Sequence, residues 1–121
     1  MKYHNIEIES AILGSILLRP SVIDNVINEI QPQDFEYNDN RILLWVIYKI
    51  YNDGNPVELE TLINYLKKAK RYNEVKDHLL DITQNTRTSA GVSYFVEQIK
   101  EGKTKEKIVL AQKQRLKEQR N

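Results

Sequence analysis

Acid–base work in this chain would fall to two histidines and seventeen carboxylates. One pair is spaced for it. His78 follows Glu74 by four residues, on the same face if the segment is a helix, and stands next to Asp77 in sequence. A Glu–His pair at that spacing reads first as a surface ion pair. Glu7 and Glu9 are two apart and point to different sides of a helix. Asp34 and Glu36 flank Phe35 and read as exposed loop carboxylates around a buried anchor. The sequence holds no cysteine, which excludes disulfides, thiolate zinc sites, iron–sulfur clusters and cysteine nucleophiles. Two histidines argue against an all-histidine metal site. Gly-x-x-x-x-Gly-Lys-Ser/Thr, Gly-x-Gly-x-x-Gly and Gly-x-Ser-x-Gly are all missing, so no phosphate loop, dinucleotide fingerprint or nucleophile elbow is present. The expectation is a chain with no catalytic, metal or cofactor residues.

The elements that would position these residues are helices. With 121 residues the chain is sized for one domain. Four glycines and three prolines interrupt it little. Ile8, Ala11, Ile12 and Ile16 form a first apolar stripe, with Gly14 inside that helix, a position that tolerates glycine where another helix packs closely against it. Val22, Ile23, Val26, Ile27 and Ile30 form a second, restarted by Pro20 and Ser21. Residues 41–51 are apolar nearly all round, as a central helix would be. Leu59, Leu62, Ile63 and Leu66 make a fourth stripe after the turn at Asn52–Pro56, and Val75, Leu79 and Ile82 a fifth. These predict a compact head over about 5–85, with Trp45, Ile42, Leu13, Ile16, Ile23, Ile27, Leu62 and Leu66 in its core. No apolar run nears the ~20 residues of a membrane span, and Met1–Glu7 lacks a signal peptide's apolar core, so a cytoplasmic protein with no membrane partner is expected.

The last third differs. Val92, Phe95, Val96 and Ile99 line one helix to about residue 101. Ile108, Val109 and Leu116 line a thinner one from about 104 to 118. Lys100–Lys107 between them has no apolar side chain, which reads as a helical hairpin and basic tail over about 88–119, stabilised by a second copy or a partner. Residues 1–99 carry 10 Lys/Arg against 14 Asp/Glu, and residues 100–121 carry 8 against 3. Lys103, Lys105, Lys107, Arg115 and Lys117 are therefore the candidates for contact with nucleic acid or a partner, and Val92, Phe95, Val96, Ile99, Ile108 and Val109 for an oligomer interface.

Five short motifs fall in a telling order. His4-Asn5-Ile6-Glu7-Ile8-Glu9 runs into Ala11-Ile12-Leu13-Gly14; then come Asp34-Phe35-Glu36-Tyr37, the aromatic-rich 40–51, Asp53-Gly54-Asn55-Pro56-Val57-Glu58-Leu59, and Asn85–Ile99 with Tyr94 near its end. Together they resemble the N-terminal domain of bacterial replicative DNA helicases of the DnaB family, over residues 4 to about 110. The resemblance implies an all-α fold, a helical head followed by a protruding hairpin. It implies a non-catalytic assembly and docking role. Such domains pair, three pairs form a collar on a hexameric motor, and primase and some loaders act there, with DNA contacted only indirectly. ATP and Mg would belong to a motor domain, not to this chain. A chain pattern that runs to Asn121 without a helix stop leads one to expect an excised piece; the alternative is a free-standing phage- or plasmid-type mimic that regulates a host helicase.

Overall fold

The computed structural model describes the backbone of residues 2–120 and the side chains of residues 5–115. Among the described residues every regular element is helical. The order is α1 (Lys2–Leu18), a 3₁₀ turn at Pro20–Val22 leading into the short α2 (Ile23–Val26), a second 3₁₀ turn at Pro32–Asp34, α3 (Asn38–Asn52), α4 (Leu59–Lys68), α5 (Tyr72–Asn85) and α6 (Val92–Arg120). The all-α fold class expected from periodicity is what the chain adopts.

The breaks follow from local chemistry. Pro20 disfavours a helical Arg19, whose φ is −140°, and ends α1. α3 ends in a Schellman motif. Gly54 takes the left-handed conformation (φ +77°), its N–H donates to the Tyr51 carbonyl, and the Asn55 N–H donates to the Ile50 carbonyl. α4 ends the same way, with Lys70 at φ +60° where glycine is the usual occupant. The stripe from Val22 to Ile30 is a shorter helix than its periodicity implied. It is a 3₁₀ turn plus one turn of α-helix, with Val22, Ile23, Val26 and Ile30 buried and Ile27 partly so.

α3 is the central element, burying Ile42, Leu43, Leu44, Val46, Ile47, Tyr48 and Ile50. Around it pack Ile12, Leu13 and Ile16 of α1, Leu62 and Leu66 of α4, and Val75, Leu79 and Ile82 of α5. The Tyr48 hydroxyl donates to the Ile30 carbonyl at 2.6 Å, and burial pushes its pKa well up. One core assignment is corrected. Trp45 is 58 % exposed, because it lies on the outward strip of a helix whose other faces are covered.

The expected hairpin is corrected as well. Residues 92–120 form one continuous helix, with no break between 101 and 104. Gly102 alone costs only ~1 kcal/mol in a helix, and the Lys and Glu around it are good helix formers. The apolar-free run is a solvated stretch of helix, not a turn. α6 begins on the head, packed chiefly against α1.

Gly14 sits where α1 meets the chain leaving α5. An added Cβ would come 1.8 Å from Thr86 Oγ1 and 2.7 Å from Thr86 Cβ. The helix expected to pack closely there is replaced by a loop residue, Thr86. Gly14→Ala should therefore lower stability by about 1–3 kcal/mol, although alanine is the better helix former. In a Thr86→Gly background the same change should become neutral or stabilising, which a double-mutant cycle in urea denaturation measures.

Candidate functional site

The site-bearing architecture starts from a carboxylate on α1 that points to a different side of the helix from Glu7. Glu9 is fully buried. One oxygen accepts the Glu36 backbone N–H at 2.6 Å. The other accepts the Tyr37 N–H at 3.3 Å and the Asn40 Nδ2 at 3.1 Å. Glu9 thus holds, from a neighbouring helix, the turn that leads into α3, at the positive end of that helix. Burial nevertheless outweighs these bonds and raises its pKa above the ordinary carboxylate value.

Asn40 passes the network on. Since its Nδ2 donates to Glu9, its Oδ1 is the acceptor toward His78 Nε2 at 2.7 Å, which makes His78 the donor there. The His78 ring meets Tyr37 edge-on, with centroids 5.0 Å apart. Burial lowers the His78 pKa, against the pull of Asp39 and Asp81. The expected Glu74–His78 pair does not form. Glu74 turns instead to Arg71 at 3.2 Å, because His78 is drawn inward by Asn40.

Asp34 also departs from expectation: in place of an exposed loop carboxylate, its side chain is 6 % exposed. It accepts the Gln31 N–H at 2.7 Å and the Lys103 ammonium at 2.7 Å. One turn earlier on α6, Lys100 reaches Glu29 at 2.7 Å, and that carboxylate holds the lysine above its ordinary pKa. Phe35 between the two turns is buried, as the anchor reading required.

These contacts decide where the candidate interface residues go. Val92, Val96 and Ile99 are buried in the head's own core, and Phe95 packs against it. The stripe assigned to self-association is therefore already covered within the chain, a correction whose cause is that α6 lies along α1 before it projects. Ile108 and Val109 are exposed, and Leu110 joins them; their relative exposures are 52 %, 47 % and 60 %. Of the basic set, Lys103 is engaged by Asp34, while Lys105, Lys107 and Arg115 are exposed. The side chains of Lys117, Leu116 and His4 lie outside the described residues. Leu110 was missed by sequence reasoning, as were the buried role of Glu9 and the exposure of Trp45. Leu110 had a signal, standing beside Ile108 and Val109 in an otherwise polar helix. Among the described residues no group of His, Asp or Glu is arranged to hold a metal ion, and no helix is long and apolar enough to cross a membrane.

A compact helical head with one long C-terminal helix packed against α1 defines the class of small all-helical domains. The model of the DnaB-like helicase N terminal domain family matches residues 1–101, and the chain belongs to that family. It is 29 % identical over 99 residues to the replicative DNA helicase DnaC of Bacillus subtilis, covering 80 % of this chain and 22 % of that protein. It is 24 % identical to the replicative DNA helicase DnaB of Geobacillus stearothermophilus over the same shares. The chain thus spans about a fifth of the length of these curated relatives. The crystal structure of the N-terminal domain of DnaB helicase from Mycobacterium tuberculosis superposes with a TM-score of 0.79 at 21 % identity, over 90 % of this chain and 80 % of that one, so the fold is shared.

Glu9→Ala should cost more than about 2 kcal/mol, because two backbone N–H groups and one amide lose their acceptor in a buried site. The sign of the pH dependence is fixed by the raised pKa. Glu9 contributes most below its unfolded value of 4.5, and that contribution is lost as pH rises through the folded value. The stability gap between parent and variant, measured by urea denaturation across pH 4–8, should narrow as pH rises.

Proposed function

We propose that the chain is a non-catalytic assembly and protein-docking domain of a replicative DNA helicase, organising the N-terminal collar of a hexamer and docking primase. The observation that carries this reading is the exposed Ile108–Val109–Leu110 patch on α6. Three adjacent large apolar side chains spread over about 200° of a helix surface, too wide for the head to cover from one side. Laying a second copy's helix alongside would remove them from water, each contributing about 1 kcal/mol from its exposed half. Membership of the helicase N-terminal family supports the same role, as do relatives whose names are those of replicative helicases.

In this reading the chain needs no cofactor. ATP and Mg serve the motor domain, and primase and a helicase loader are the protein partners. The exposed Lys105, Lys107 and Arg115 near the patch place like charges at the seam, so added salt strengthens the pairing.

Light scattering on the eluting chain should give a dimer with a dissociation constant on the order of 10 µM. Ile108→Asp with Leu110→Asp should yield a monomer of unchanged helicity, and an immobilised parent chain should retain the C-terminal region of a primase. A parent that stays monomeric at millimolar concentration would end the assembly half of the proposal.

A further inference from the structure

Trp45 is the only tryptophan, and it is mostly solvent-exposed at the middle of α3. One helical turn to either side on the same face stand Arg41 and Lys49, both exposed, a cation–indole–cation stripe about 12 Å long. Beside it runs the α4–α5 turn, Lys67-Lys68-Ala69-Lys70-Arg71. Trp45, Arg41, Ala69 and Arg71 line one open cavity of about 540 Å³, floored by Ile42 and Val46, with no carboxylate in its lining. Arg41 and Arg71 share that cavity with the indole, and six of the ten Lys and Arg in residues 1–99 fall on the outward strip of α3 or in the α4–α5 turn, on a head whose charge is otherwise acidic.

The turn also carries backbone strain. Lys70 holds φ +60° at a position where glycine would sit without penalty, so the chain keeps a cation there against local preference. The competing acids are weak ones. Glu74 meets Arg71 at 3.2 Å and Asp53 meets Lys49 at 3.6 Å, both as exposed pairs, and Lys67 lies over the Tyr72 ring.

We propose that this face binds single-stranded nucleic acid, with a base stacked on the Trp45 indole and the adjoining phosphates held by Arg41, Lys68, Lys70 and Arg71. The indole offers a flat π surface that any base can cover, and cations on both sides of it follow a backbone that enters and leaves. An acidic peptide would satisfy the charges but has no need of an exposed indole between them. A duplex keeps its bases stacked inside and could use the charges alone. The site is separate from the α6 patch, so it stands or falls independently of the assembly reading. It also departs from the expectation that DNA is contacted only indirectly.

The test is titration of the intact chain with a dT oligonucleotide at low salt, read by the fluorescence of its single tryptophan and by anisotropy of a labelled strand. Saturable quenching is expected, with a log–log salt slope of about −2 to −3 for three to four phosphates. Trp45→Ala should weaken binding about tenfold. Arg41→Glu with Lys68→Glu should abolish it. Both variants should keep the parent's circular dichroism, since these side chains lie outside the core. Lys70→Gly separates binding from folding: it should raise the melting temperature by relieving the left-handed strain, and yet weaken binding severalfold. The proposal is overturned if the oligonucleotide leaves the fluorescence unchanged, if poly-glutamate or a duplex of equal length binds as well, or if Trp45→Ala binds like the parent.

Discussion

A carboxylate without a cation sets the geometry of this domain. Glu9 is buried on α1, and its partners are two backbone N–H groups and one amide, 27 to 31 residues away in sequence. Leaving those donors unmet would cost more than most single contacts in the core provide. Apolar packing is tolerant of small slides, but three hydrogen bonds to one carboxylate are not. The turn at 35–37 is therefore fixed against α1, and α3 starts where that turn delivers it. The same turn region carries Asp34 and Phe35, so the carboxylate also determines where α6 finds its anchor. Asn40 and His78 extend the arrangement to α5 without adding a charge.

α6 is attached by a sequence of contacts that change character along its length. Its first turns bury Val92, Val96 and Ile99 in the common core. Its middle is held by two ion pairs one turn apart, Glu29–Lys100 and Asp34–Lys103. Beyond them Ile108, Val109 and Leu110 are largely exposed to water. The order is physically sensible. Burial fixes the register of the helix, directional polar contacts fix its heading, and the remainder is presented to whatever else is near.

Much of this was legible in the sequence. The apolar stripes marked five of the six helices, and the Asn–Asp–Gly–Asn–Pro run marked the turn after α3 because only a left-handed residue closes it. The five ordered motifs led to the family. What escaped reading had one cause: periodicity tells which residues share a face, not what lies opposite. Val92, Val96 and Ile99 are a stripe whether the head or a second copy covers them. Trp45 looked like core because the helix around it is apolar on most sides, and nothing local distinguishes its outward strip. Glu9 and Asp34 are polar, and their burial depends on donors brought from elsewhere in the chain. The break expected near residue 102 failed for a different reason. A run without apolar residues signals exposure, and exposed lysine and glutamate form helix readily.

The two ion pairs on α6 have a mechanical meaning. Roughly seventeen residues of helix extend past Lys103, a stiff arm of about 25 Å pivoting on a fulcrum one turn wide. A tilt of only about 10° at that fulcrum would carry the far end through about 4 Å, close to half the spacing of two packed helices. Small changes in how Glu29 and Asp34 hold their lysines are thereby magnified into whole-element displacements at the tip. Ionic strength, acting on two partly exposed pairs, becomes a means of steering an object far larger than the bonds it weakens.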